Sequence, residues 1–213
     1  MSENTLSTQL TAQGFTSLEA AKKWAQERID SGLLPANISE PEQVLTIIQH
    51  GNELGLSPMI ALNNVNVIQG RPTLSSTIIG ALLKRRGIEW VWDEDFEVVK
   101  DKDGNPGKTP SGGVNRRTTI HFYWKSKVTN MVMEAKHSVT WSQFEISGYT
   151  TKQNWERYPK EMMRARCLSS AVRALFPEVL SGFYTDIEIA DTVNDDYAVI
   201  LNEEGEIQIE NKD

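Results

Sequence analysis

The feature that most constrains this chain is the segment from Pro159 to Leu175, which predicts one long amphipathic helix closed by Pro177. Proline at the first helical position loses no hydrogen bond, and a later proline cannot continue the helix. At 100° per residue, Met163, Cys167, Leu168, Ala171, Ala174 and Leu175 form one broad apolar face. Arg166 and Arg173 fall together on the opposite face, near Ser169, where they suit phosphate contact. Arg164 falls within the apolar arc, so its charge needs a partner or an opening to the surface. It is either a ligand contact or a structural ion-pair residue.

The rest of the chain supplies further elements. A helix is expected from Ser17, with Leu18, Ala21, Trp24, Ala25 and Ile29 on one face and Gly32 as its stop. A second starts at Ser39, with Pro41 and Glu42 completing a capping box, and Gly55 ends it. Val65 to Ile68 reads as a strand, Gly70 as a turn and Arg71 to Leu74 as the return of a hairpin. Ser75 or Ser76 caps a helix running to about Arg86. Ile88–Trp92, Phe96–Lys100, Thr118–Trp124 and Val128–Glu134 are candidate strands. Asp101 to Asn115, rich in Gly, Pro and charge, is expected to be a mobile loop. Thr140 to Ile146 reads as a short helix before Gly148.

Bulk properties narrow the function. The 213 residues suit one domain, residues 17–190, between a disordered start (1–16) and an acidic tail (191–213). A 39% hydrophobic content with six tryptophans allows a packed core. The single cysteine, Cys167, permits no intramolecular disulfide. No signal-peptide pattern or bilayer-length apolar run is present, so a soluble, cytoplasmic protein without membrane partners is expected. The net charge of -7 is uneven: residues 178–213 carry -10 and residues 1–177 carry +3. Binding follows the local field, and the body is mildly basic.

Catalytic motifs are absent. The stretch Gly104 to Thr109 lacks the first glycine of a phosphate-binding loop and opens no helix. Asp93, Glu94, Asp95 and Glu97 lie within five residues and read as a solvated turn rather than a metal site gathered from several elements. His50, His121 and His137 lack zinc-ligand spacing, and Cys167 reads as a buried structural thiol. No metal or other cofactor is expected, and nothing requires an enzyme.

The binding candidates cluster. Between Lys152 and Arg173 stand Lys152, Arg157, Lys160, Arg164, Arg166 and Arg173, opposed only by Glu156 and Glu161, a net of +4. Trp155 and Tyr158 sit among them. Cations that follow a phosphate backbone, interleaved with rings that stack on bases, are what single-strand binding requires. Both rings have the alternative role of core anchors. Arg116, Arg117, Lys125 and Lys127 flank the strand Thr118–Trp124 and either widen the groove or are ordinary surface charge.

These strings resemble a known family. Asn154-Trp155-Glu-Arg157-Tyr158-Pro159-Lys-Glu-Met162-Met163-Arg164-Ala165-Arg166, then Arg173-Ala-Leu-Phe176-Pro177, then Gly182-Phe-Tyr184-Thr185, are similar to the carboxy-terminal signature of RecT-like phage recombinases. Upstream, Gly55-Leu56-Ser57-Pro58 and the hairpin around Gly70-Arg71-Pro72 resemble that family's earlier segments in the same order. Met163 and Cys167 depart from its usual residues. The resemblance covers about residues 40–190. It implies an α+β fold, a small antiparallel sheet with a hairpin packed against several helices, the RecT/Redβ-like single-strand annealing fold. It implies ATP-independent binding and annealing of single-stranded DNA in a bacterial or phage-infected cell. The protein would act as a homo-oligomeric ring or filament on single strands and annealed duplex. A phage exonuclease and a host single-strand-binding protein are the implied protein partners. Arg71, in the hairpin, becomes a candidate for DNA or subunit contact. Two competing readings are an interaction protein whose acidic tail mimics nucleic acid, and a DNA-processing enzyme using Asp93 to Glu97.

Overall fold

The computed structural model describes residues 15, 17–35, 38–68, 71–192, 197–201 and 207–211. The expected disordered start, apart from Phe15, and the turn at Gly70 lie outside the described residues. The chain divides into two units, Met1–Pro72 and Thr73–Asp213. The architecture is α+β, with small antiparallel sheets and several helices.

In the first unit, α1 (Leu18–Asp30) starts where the sequence places it: the Ser17 hydroxyl accepts a hydrogen bond from Ala20 N at 3.1 Å. Ala21 and Ala25 bury its inner face, and Gly32 ends it at φ 67°. The next helix, α2 (Pro41–Glu53), begins one residue later than the predicted capping box. Its N-cap is Glu40, and the Gln43 side chain reaches back to accept from Ser39 N and Glu40 N. Proline at N1 fixes the cap at the residue before it. A short helix not expected from the sequence, α3 (Pro58–Asn64), follows and precedes β1 (Val65–Ile68).

The missing side chain at Gly51 lets α2 and α3 touch. A Cβ there would lie 2.3 Å from the Ala61 Cβ, with backbone close behind. Gly51→Ala is therefore expected to destabilise the protein by about 1–3 kcal/mol through overpacking, read as a lower urea midpoint. An unchanged midpoint would show that the two helices separate freely.

In the second unit, β2 (Arg71–Leu74), which begins just before it, pairs in parallel with β6 (Tyr184–Thr185) through Thr73 and Leu74. Ser75 caps α4 (Ser76–Arg85). The main sheet is β3 (Ile88–Val98), β4 (Arg116–Lys125) and β5 (Val132–Thr140), antiparallel in that order. The two strands expected before residue 101 are thus one. The acidic run is not a turn; it rides a strand broken by irregularities at Trp92/Glu94 and Asp95/Glu97, with Phe96 at φ 64°. Such bulges re-aim side chains, and the acids find different partners. Asp93 pairs with Lys136, Glu94 with Arg117 and Asp95 with Arg164 and Lys160. Among the described residues, no group of three or more His, Cys, Asp or Glu is placed to hold a metal ion.

The stretch expected as a loop, 101–115, carries two antiparallel bridges, Lys100 with Pro106 and Lys108 with Val114. Glu145 fastens it by accepting from Ser111 N at 2.8 Å. The strand expected at Val128–Glu134 starts later, because residues 126–131 form the turn. Ser126 N donates to Met131 O and Asn130 N to Ser126 O, with Asn130 at φ 58°.

Past β5, α5 (Trp141–Ile146) follows a Thr140 cap, and Gly148, at φ 76°, leads into a tight turn at Tyr149–Thr151. Then come α6 (Gln153–Arg157) and α7 (Pro159–Leu175), the latter with the predicted bounds. α7 crosses the face of β4 that carries Ile120 and Phe122, both fully buried. The Cys167 thiol donates toward Thr118 O and His137 O at 3.5 and 3.6 Å, and burial pushes it up to about 12. It is a structural thiol, not a nucleophile. The buried surface of α7 is wider than the helical wheel suggests. Ser169, placed by the sequence beside the arginines, is fully buried, whereas Ala174 and Leu175 are exposed.

After α8 (Pro177–Leu180), β6 leads into α9 (Asp186–Thr192). Part of the expected tail forms an antiparallel pair, β7 (Tyr197–Leu201) with β8 (Ile207–Asn211). No helix of the described residues is long and apolar enough to cross a membrane.

Candidate nucleic-acid interface

Lys152, α6 and α7 carry both predicted rings and most of the predicted cations, β2, β4 and the β4–β5 turn carry the others, and the structure sorts them into groups.

The first group is structural. Trp155 is completely buried among Trp141, Phe144 and Tyr149, with ring centroids at 5.7, 4.7 and 6.3 Å. A base has no access to it, so its expected stacking role gives way to that of a core anchor. Tyr158, half-buried, occupies the cap between α6 and α7. Arg164 Nε donates to Asp95 Oδ1 at 2.7 Å, its Nη2 bonds the other carboxylate oxygen, and Lys160 joins that oxygen at 2.7 Å. Burial raises the Asp95 carboxyl, but these two cations outweigh it and hold the pKa below the usual range. Asp95, re-aimed by the bulges of β3, thus ties α7 to the sheet. Of the two roles open to Arg164, the geometry displays the ion pair. The guanidinium stays half-exposed rather than sunk in the apolar face.

Arg173 makes a bidentate pair with Glu188, Nε to Oε1 at 2.8 Å and Nη2 to Oε2 at 2.6 Å, and also donates to Phe183 O. The hydrogen bond to Glu188 raises its pKa further. Thr185 N donates to Glu188, and Glu188 N to the Thr185 hydroxyl, the reciprocal bonds of a capping box on α9. Arg173, expected to face phosphates, is engaged in holding that cap. Arg116 donates to Phe96 O at 3.0 Å and lies over the Phe96 ring. Arg117 meets Glu94 at 3.3 Å.

The second group is exposed and carries no ion pair among the described residues: Arg157 at the end of α6, and Lys125 and Lys127 at the β4–β5 turn. Arg71 is also exposed, on β2 in the part that belongs to the first unit.

The third group joins two predicted cations, Lys152 and Arg166, to a ring that the sequence does not single out, Tyr149. The half-buried Tyr149 ring lies 4.9 Å from the Arg166 guanidinium and 5.9 Å from the Lys152 ammonium. It is near-parallel to Phe144 and Trp155, at 30° and 28°. The signal was the recurrence of Trp141, Phe144, Tyr149 and Trp155 just ahead of the basic helix, but only tertiary packing shows which ring stays near the surface.

No protein-family model, curated protein or solved structure matches this chain.

Proposed function

We propose that this chain binds single-stranded DNA along α6 and α7 and anneals it to a complementary strand without a nucleotide cofactor, as a RecT-like protein with the RecT/Redβ-like fold. The observation that carries the reading is the Trp155-to-Arg166 segment. The residues that resemble the family's signature present an exposed Arg157 and place Arg166, with Lys152 just ahead of them, beside the Tyr149 ring. Phosphates would meet these cations, and Lys125 and Lys127 would extend the basic surface. Annealing demands that bases stay accessible, which sequence-tolerant stacking and backbone contacts allow. A homo-oligomer on DNA in a bacterial or phage-infected cell, acting with an exonuclease and a single-strand-binding protein, belongs to the same reading.

The test is annealing of labelled complementary oligonucleotides without ATP. Acceleration that fades steeply with salt is expected. Rates at low salt no faster than without the protein would exclude the function. The double substitution Lys152→Ala with Arg157→Ala should weaken binding and reduce the logarithmic salt slope by about 1.4, near 0.7 per lost phosphate contact on a single strand. An unchanged slope would place the phosphate path elsewhere.

A further inference from the structure

We propose that Tyr149, backed by Trp155 and Phe144 and flanked by Arg166 and Lys152, is a contact site for one nucleobase of the bound strand. This rests on the single-strand reading above and assigns the part that touches the base.

Among the rings of this region, Trp155 is sealed in the core and Tyr158 serves the junction of two helices. Tyr149 combines partial exposure with rigid support. Gly148, in the left-handed region, starts its turn, the Thr151 hydroxyl donates to Gly148 O, and Lys152 N donates to Tyr149 O at 3.1 Å. Phe144 and Trp155 hold the ring in one orientation, so little side-chain freedom remains to be lost on binding.

The charge pattern selects the occupant. A bare phosphate has no use for a ring, and an apolar ligand has no use for two cations. A nucleotide uses both: its base lies against the phenol ring and the planar guanidinium, and its phosphate meets the Lys152 ammonium. The arrangement reads a π-face and no base edge, so it tolerates any sequence. It disfavours duplex, whose bases are already stacked and paired.

The test compares an oligothymidylate with an oligonucleotide of equal length made of abasic residues, on the full-length wild-type protein. Loss of one stacked base corresponds to about 1–3 kcal/mol, so wild type should prefer the base-containing strand by roughly 5- to 150-fold. Tyr149→Leu should lower thymidylate affinity toward the abasic value while leaving abasic affinity and salt slope unchanged. Tyr149→Phe should keep the preference. Should Tyr149→Leu fail to fold, Arg166→Lys keeps the charge, removes the planar stack and should still shrink the preference.

Equal wild-type affinity for both strands would overturn the base contact while single-strand binding stood. A preference that survives in Tyr149→Leu, or in Arg166→Lys where that variant replaces it, would overturn the assignment of these residues. Wild type that binds neither strand at low salt would remove the underlying reading and this site with it.

Discussion

Trp155→Ala is expected to lower stability by about 3–5 kcal/mol, the cost of emptying a large aromatic site in a packed core. Trp155 is fully buried, and its indole meets Trp141 and Phe144 of α5 and Tyr149 of the following turn. Removing the indole takes the shared partner from three rings at once, so the whole α5–α6 corner should loosen. Urea denaturation should show a much lower midpoint, and thermal unfolding a matching fall. Trp155→Phe, which refills part of the space, should cost less. DNA binding by the alanine variant should fall only as far as its folded fraction falls. The alternative role makes the opposite pattern: a base-stacking tryptophan would leave the midpoint at its wild-type value and weaken binding directly. That outcome would return Trp155 to the surface.

Trp155 and Tyr149 also show where sequence reading stops. Both are aromatic and both neighbour cations, and pattern alone favoured the one inside the basic run. Which ring is inside depends on α5, an element that contacts them only after folding. The same limit applies to the cations. Arg164 and Arg173 were visible as charges on a helix, but their partners are Asp95, 69 positions away, and Glu188, 15 positions away. Periodicity reports a face and not what another element brings to it.

Local signals served better. α7 was legible to the residue because prolines set both of its ends, and α1 and α4 because a serine caps each. α3 was not, since Met59 and Ile60 are exposed and no apolar periodicity marks it; the close approach of Gly51 to Ala61 is tertiary information. The sequence divides β3 into two strands because four acids in five residues look like a turn. Cross-strand ion pairs keep it extended across two irregularities.

The second large effect concerns Asp186, at the start of α9 and fully buried. Its Oδ1 accepts from Ile187 N at 2.7 Å and from the Ser76 hydroxyl at 3.3 Å, whereas Oδ2 is buried without a hydrogen-bond partner. Burial pushes its carboxyl up to about 7, the backbone and Ser76 hydrogen bonds oppose this, and the Glu188 charge adds to the rise. In the unfolded chain the group titrates near its ordinary value of about 3.9. Between these values the native protein holds a proton that the unfolded chain has released. Its stability contribution is therefore full below pH 4, falls as pH rises toward 7, and is level above that. Three units at 1.36 kcal/mol each set an upper scale of about 4 kcal/mol. Asp95 and Glu188 run the other way: their pKa values are lowered, so their contributions are present above the unfolded value and are lost in acid. The Asp186 contribution should thus decline between pH 4 and 7, while His137, whose pKa burial lowers, runs the other way over the approach to neutrality. Asp186→Asn has the shape of the protonated carboxyl and keeps Oδ1 for its two donors. It should match wild type near pH 4 and exceed it at pH 8 by up to about 4 kcal/mol, so that the urea midpoints of the two proteins diverge with rising pH. The opposing carboxylates are common to both and cancel in the difference. Midpoints that run parallel from pH 4 to pH 8 would mean that Asp186 is ionised in the native state throughout and that its second oxygen reaches solvent or a cation.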